Sequence, residues 1–207
     1  MISCKNIGIS FSKLPIFSDI SLEIESGTIT ALMGVNGCGK STLLKILGGV
    51  LSPTEGEVIC IDGIKISYIP DHLPALPFKV EEYLLHMGRI QGVQTKAIDE
   101  YINNMFKSLN IPMHIRKQRI SKCSKGTVQK VNIMQALITK PDLLLLDEPF
   151  SGLDEKSLED FINILKQTAD SGTAVVLSCH EKEHMRKVAH DLYVFIDGTC
   201  VKEGVNQ

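Results

Sequence analysis

The residues best equipped for chemistry are Gly34, Gly39, Lys40 and Ser41, in the run GVNGCGKST at positions 34–42. Their spacing is G-x-x-x-x-G-K-[ST], and Thr42 follows directly. The apolar run ITALM precedes it and TLLKILGG follows, the context of a loop joining a strand to a helix. Glycines allow successive backbone N–H groups to turn inward around one anion. A helix starting near Lys40 adds its positive dipole end to the same spot. The Lys40 side chain is expected to reach the outer phosphates and the Ser41 hydroxyl to meet Mg²⁺. A chance glycine turn before a helix is the bland alternative. It explains neither the two apolar flanks nor the Lys-Ser pair.

A second candidate is LLLLDEP, which puts Asp147 at the end of an apolar strand and Glu148 one step beyond. The carboxyl edge of a parallel sheet is where ligands bind. A carboxylate there can serve Mg²⁺, and its neighbour can orient or deprotonate a water attacking a γ-phosphate. Two exposed acids ending a strand would look the same if read alone. The phosphate loop upstream tips the balance toward chemistry.

These residues need a scaffold, and the 207-residue chain is long enough for one domain with a real core. A 43% hydrophobic content is ordinary for a globular protein. No window holds 18 uninterrupted apolar residues, and the start, MISCKNIGISF, lacks the pattern of a signal peptide. The expected location is therefore cytoplasmic. Six scattered cysteines without C-x-x-C read as reduced thiols, and Cys38 lies inside the phosphate loop. The net charge of −2 is uneven: residues 79–130 carry 10 Lys+Arg against 4 Asp+Glu. Such a segment suits anionic lipid or an acidic partner, and equally suits a solvated surface.

Residues 2–11 read as a strand, and Ile20, Leu22 and Ile24 alternate with polar residues in a second. A short helix is expected from Lys40 to Leu47, ended by Gly48-Gly49. EVICIDGIKISYIP reads as two strands about an Asp62-Gly63 turn, so that the opening half is mainly antiparallel. Ile98, Tyr101, Ile102, Met105, Phe106 and Leu109 mark one face of a packing helix. A polar connection, 111–126, leads into a third helix. Beyond it, LLLLD and TAVVLS alternate with helical segments and DLYVFIDGTCVKEG closes as a hairpin. That alternation argues for a parallel α/β sheet. The expected layout is one domain over 1–207, with a core of 1–78 and 131–207 and a helical sub-domain at 79–130.

Taken in order, the chain resembles the ATP-binding subunits of ABC transporters along nearly its whole length. Walker A is GVNGCGKST and Walker B is LLLLDEP. The signature, commonly LSGGQ, appears as CSKGTVQK, the D-loop as SGLD at 151–154, and the switch histidine as His180 after TAVVLS. The resemblance implies a P-loop NTPase of RecA-like parallel core, an N-terminal antiparallel β sub-domain and an α-helical sub-domain. It implies an ATPase that powers a membrane transporter. The nucleotide would be held by Gly34, Asn36, Gly37, Cys38, Gly39, Lys40, Ser41 and Thr42, with Phe11 stacking on adenine. Ser41 and Asp147 would serve Mg²⁺. Glu148 would be the catalytic base, with His180 and Lys40 contacting the γ-phosphate. Ser124 and Gly126 would close on the ATP of a second protomer, in a head-to-tail homodimer or heterodimer. Asp154 would lie along that seam, and it fits equally well as a helix N-cap. The implied partner is a separate membrane-spanning permease, with the subunit peripheral on the inner face of the membrane and no nucleic acid expected.

The chain departs from the family pattern in three places. Cys123, Lys125 and Thr127 replace the usual Leu, Gly and Gln of the signature. Asp71 stands where the Q-loop has Gln, keeping an oxygen for metal but losing the amide donors. Phe11 stands for the usual Tyr, with Ser12 where Gly is common. A core phenylalanine on an edge strand is the competing reading of Phe11. HEKEH also fits the zinc-protease pattern H-E-x-x-H, but His180 falls directly after a strand rather than inside a helix. The Ser-Lys-Gly signature and the small size lean toward export by analogy, and the regulatory C-terminal extension of many importers is expected to be absent. A soluble ATPase acting on ribosomes or DNA, or a poorly hydrolysing regulator, are the alternatives weighed against a transporter subunit.

Overall fold

The computed structural model describes residues 2–71, 76–180, 185–186 and 188–204. It falls into two units. The first joins 1–71, 142–149 and 166–207, and the second joins 72–141 with 150–165. The helical region read from the sequence was 79–130. The second unit also takes the whole third helix and most of the helix after SGLD.

In the first unit, β1 (Ile2–Phe11), β2 (Leu14–Ile24) and β4 (Glu55–Cys60) form an antiparallel sheet in the order β2-β1-β4. β1 turns into β2 through Ser12 and Lys13, with φ of 49° and 69°. Two successive positive φ values make the primed turn whose twist suits a hairpin. Serine fills a place where glycine would be easier, and β2 begins earlier than its alternating pattern suggested.

The main sheet of this unit combines β3 (Ile29–Met33), β5 (Ile66–Ile69), β6 (Leu143–Leu146), β7 (Ala174–Cys179), β8 (Asp191–Ile196) and β9 (Thr199–Glu203). Its order is β5-β6-β7-β3-β8-β9, parallel throughout except for the closing β8–β9 hairpin. β3, β6 and β7 are buried along their whole length, as strands covered on both faces must be. One expectation needs correcting here. The strands flanking Asp62-Gly63 do not pair with each other. β4 joins β1, while β5 crosses to the other sheet and runs parallel to β6. A Gly-centred turn fixes a change of direction but not the partner of the strand that follows.

Strand register aligns the chemistry. Met33, the last residue of β3, is opposite Cys179, and Leu146, the last of β6, is opposite Leu177 and Ile69. The residues that follow these strands (Gly34, Asp147, His180 and Asp71) therefore leave the sheet along one carboxyl edge. α1 (Lys40–Leu47) follows the loop after β3 and buries Leu43, Leu44, Ile46 and Leu47. The core beneath it joins Ile7, Phe17, Ile20, Leu32, Leu145 and Phe195.

The second unit contains α2 (Val80–Ile90), α3 (Thr95–Ser108) and α4 (Lys125–Leu137). Of the stripe on α3, Ile98, Ile102, Phe106 and Leu109 are fully buried, as a packing face requires. The connection before α4 contains two short 3₁₀ turns, Met113–Lys117 and Ile120–Lys122. Its basic residues are not all free surface charge. The Arg116 guanidinium donates to Glu81, Asp99 and Asn103 at 2.7, 2.6 and 2.6 Å. Lys130 is buried and donates to the Leu109 carbonyl at 2.8 Å and to Asp160 at 3.1 Å. α5 (Glu155–Asp170) starts at Asp154, whose carboxylate accepts from the Ser157 N–H at 2.7 Å. The N-cap expected of Asp154 is formed. No described helix is long and apolar enough to cross a membrane.

Candidate functional site

The loop between β3 and α1 is shaped by its glycines. Gly34 and Gly39 have φ of 152° and 110°. A Cβ on Gly39 would lie 2.7 Å from the Phe17 ring, so neither the backbone nor the space accepts a side chain there. Gly39 is the N-cap of α1 and offers no side-chain acceptor to the first turn. No acidic side chain occupies that turn either. The first N–H groups of α1 are thus left to an outside acceptor, which makes the loop an anion seat. Asn36 and Gly37 are exposed at its rim, Cys38 and Thr42 are half-buried, and Gly39 is buried.

Lys40 is 5% exposed. Its ammonium donates to the carbonyls of Gly34 at 2.8 Å and Val35 at 3.2 Å, and stands 3.5 Å from Glu148 Oε1. His180 Nε2 lies 3.0 Å from the same oxygen. A lysine opening α1, a carboxylate just past the end of β6 and a histidine just past the end of β7 converge on one atom. Burial raises the Glu148 carboxyl above its ordinary range, against the opposing pull of His180 and Lys40. Glu148 also holds a φ of 47°, the left-handed region that costs an L-residue energy and clusters at functional sites.

Asp147 is tied down from two sides. Ser41 Oγ donates to its Oδ1 at 3.0 Å and Ser178 Oγ donates to the same oxygen at 2.7 Å. The Ser178 hydroxyl also accepts from the Glu148 N–H at 2.8 Å. Ser178 was not among the residues picked from the sequence. Its signal was a lone hydroxyl at the end of an otherwise apolar strand, two residues before His180. Tyr68 was missed as well. Its Oη is buried, and burial followed by the neighbouring Asp147 and then Asp71 pushes the phenol up to about 12.

The oxygens of Ser41 and Asp147 are hard donors close enough to share a small divalent cation. Among the described residues no cluster of three or more His, Cys, Asp or Glu could hold a metal by itself. Mg²⁺ takes one or two protein oxygens and completes its shell with water and phosphate, so the Ser41–Asp147 pair fits it by donor type. The other members of HEKEH, Glu181 and His184, lie outside the described residues.

Phe11 is 46% exposed at the end of β1, so its ring is not part of the core. Ser124 and Gly126 belong to the second unit. Ser124 caps α4, its hydroxyl accepting from the Thr127 N–H at 3.2 Å. Lys125 donates to Ser151 Oγ at 3.0 Å and lies over Gly152, where a Cβ would meet its Cδ at 3.0 Å. Ser124, Lys125, Gly126, Gly152 and Asp154 line one cavity of about 340 Å³ in that unit.

The profile of the ABC transporter family matches residues 17–151. The chain is 34% identical over 197 residues to the zinc import ATP-binding protein ZnuC of Haemophilus influenzae, covering 94% of this chain and 67% of that one. It is 28% identical over 212 residues to the ABC transporter ATP-binding protein YhaQ of Bacillus subtilis, covering 99% and 71%. Among solved structures it matches the ATP-binding cassette MJ0796, a dimer bound to ADP and Pi, with a TM-score of 0.88, 23% identity and full coverage of both chains. That last likeness is one of fold.

Proposed function

Since the chain belongs to the ABC transporter family and is an ATP-binding, ATP-hydrolysing subunit of it, we propose that Lys40, Ser41, Asp147, Glu148 and His180 form its hydrolytic site and that turnover drives a separate membrane permease. The observation that carries this reading is the meeting of Lys40 and His180 on Glu148 Oε1, at 3.5 and 3.0 Å.

When ATP enters, the Lys40 ammonium exchanges the Gly34 and Val35 carbonyls for phosphate oxygens. The backbone N–H groups of Gly37 through Lys40 take the remaining phosphate charge, and Phe11 offers a ring to the adenine. Ser41 and Asp147, with Asp71 as a further oxygen donor, would hold Mg²⁺, which when bound would neutralise developing phosphate charge. Glu148 accepts a proton from water as the water oxygen bonds to the γ-phosphorus and the bond to the β-phosphate oxygen breaks. Its burial raises its proton affinity, which suits a base. His180 holds the Glu148 carboxylate in place and faces the γ-phosphate. Two copies, or one copy and a homologue, pair head to tail so that Ser124 and Gly126 of each meet the other's ATP. The assembly sits on the inner face of a membrane against its permease.

Two directions of transport are in play. The Ser-Lys-Gly signature supports export by analogy. The similarity to zinc import subunits supports import, and the transported substrate in that case is a divalent metal ion. Uptake and efflux assays in membrane vesicles carrying the cognate permease separate them. The nucleotide site itself is tested with Lys40→Ala. Binding of Mg·ATP, measured by calorimetry, is expected to fall about tenfold or more, since a buried cation facing the phosphates is lost. Unchanged binding would overturn the assignment of the loop.

A further inference from the structure

The start of α4 packs on the turn that leads the chain from Glu148 into α5. Lys125, the first residue of α4, donates from Nζ to Ser151 Oγ at 3.0 Å. Its stem lies across Gly152, where a built Cβ would meet Lys125 Cδ at 3.0 Å, Nζ at 3.3 Å and Cε at 3.5 Å. Gly152 has a φ of 74°, so its backbone and the lysine over it both depend on glycine there. Gly126 packs on the same turn: a Cβ built on it would lie 3.5 Å from Leu153 Cδ2 and 3.9 Å from Ser157 Oγ. The two ends of the turn are fixed by other contacts. The Phe150 ring meets Phe161 edge to face at 5.7 Å, the Leu153 N–H donates to the Phe150 carbonyl at 3.2 Å, and Asp154 caps α5. Lys125 covers Ser151 and Gly152, the middle of that turn.

We propose that Lys125 is a positioning residue for hydrolysis, clamping the 151–154 turn to the start of α4 and through that turn holding the backbone of Glu148. Ser151 follows Glu148 by three residues, and the chain passes from the first unit to the second between them. Glu148 keeps a left-handed backbone, a conformation that persists only where its surroundings fix it. On one side its own N–H is held by Ser178 Oγ at 2.8 Å. On the other side the chain runs directly into the turn that Lys125 clamps. A donor that carries charge makes a stronger hydrogen bond than a neutral one, and the four-carbon stem adds contact along Gly152. The glycine common at this place in the signature would supply neither. Lys125 stands between Ser124 and Gly126, so the helix start that meets one nucleotide is tied to the chain that carries the base for the other. This kinetic consequence rests on the nucleotide reading given above, but the clamp itself does not.

The test uses Lys125→Met, which keeps the stem and removes the ammonium, and Lys125→Arg, which keeps a charged donor. In nucleotide-free protein, hydrogen exchange is followed by mass spectrometry in the peptide spanning 151–157. It is expected to quicken about fivefold or more in Lys125→Met and to return toward the unaltered rate in Lys125→Arg. Phosphate release at saturating Mg·ATP falls about five- to tenfold in Lys125→Met, while the Kd for Mg·ATP, measured by calorimetry, and the melting temperature hold. Lys125→Arg recovers most of the rate. Ser151→Ala reproduces the loss, and the double variant loses no more than either single one, as two ends of one contact require. Unchanged exchange, an undiminished rate in Lys125→Met, or losses that add in the double variant would each overturn the proposal. A slow Lys125→Met beside a Ser151→Ala of full rate would overturn it too, and would place the ammonium on the partner's phosphates instead. Unaltered protein that binds no Mg·ATP would overturn the nucleotide reading, leaving hydrogen exchange to judge the clamp.

Discussion

Ser178 serves two acids at once, donating to Asp147 while accepting from the Glu148 N–H. Both contacts lie at the end of a fully buried strand, so removing the hydroxyl strands polar groups away from water. Ser178→Ala is expected to lower stability by about 1–3 kcal/mol, read by thermal or urea unfolding. Its phosphate release falls by more than its KM changes, because Asp147 and Glu148 both lose a restraint. Unaltered stability and turnover would show that the serine merely fills space. Glu148 carries the opposite signature. Its carboxyl titrates higher in the fold than the ordinary 4.5, because burial outweighs His180 and Lys40. The unfolded chain therefore gives up this proton at lower pH than the folded one does. The stability the group contributes is present below about 4.5 and is lost as pH rises through its folded value. In nucleotide-free protein, Glu148→Gln is expected to raise the melting temperature at neutral pH, with the gain shrinking toward acid pH. A gain independent of pH would mean that charge is not its source.

At the scale of elements, the two helix starts that carry sequence motifs are built in opposite ways. α4 begins with a filled cap, Ser124 accepting from the Thr127 N–H. α1 begins with Gly39, which supplies no side-chain cap, in a left-handed conformation. An uncapped buried helix start is costly unless a ligand completes it. Gly39→Ala is expected to cost about 1–3 kcal/mol, because an alanine at φ of 110° is strained and would press on Phe17. Nucleotide affinity falls with it, since the loop must move to make room. Differential scanning calorimetry with and without Mg·ATP checks both effects. A stable variant that keeps its nucleotide-induced shift would show that the glycine is not required.

At the scale of the whole molecule, the proposed working unit is a head-to-tail pair of chains, with the cavity lined by Ser124 and Gly126 as the proposed seat for the second protomer's nucleotide. Glu148→Gln is expected to bind Mg·ATP, to slow phosphate release about 10²- to 10⁴-fold, and to run as a dimer on size-exclusion chromatography with Mg·ATP present. A variant that hydrolyses at the full rate would remove Glu148 from the role of base. A strict monomer at saturating Mg·ATP would count against pairing through nucleotide.

The phosphate loop, the acidic strand end and the order of the motifs were legible in the sequence because each is local. A glycine that needs positive φ, a lysine placed next to it and an apolar strand ahead of both are set within about ten residues of chain. The length of α1 and the packing stripe of α3 were legible for the same reason, periodicity being a short-range property. What tertiary structure alone decided is which distant strands lie side by side. Alternation of side chains says that 66–69 is a strand but not that it runs parallel to 143–146 rather than back along 55–60. The meeting of Lys40, Glu148 and His180 on one oxygen and the double duty of Ser178 follow from such pairings, and the burial of Lys130 follows from helix packing. Each brings together side chains far apart along the chain, and only the cooperative burial of the sheet and its helices sets that geometry.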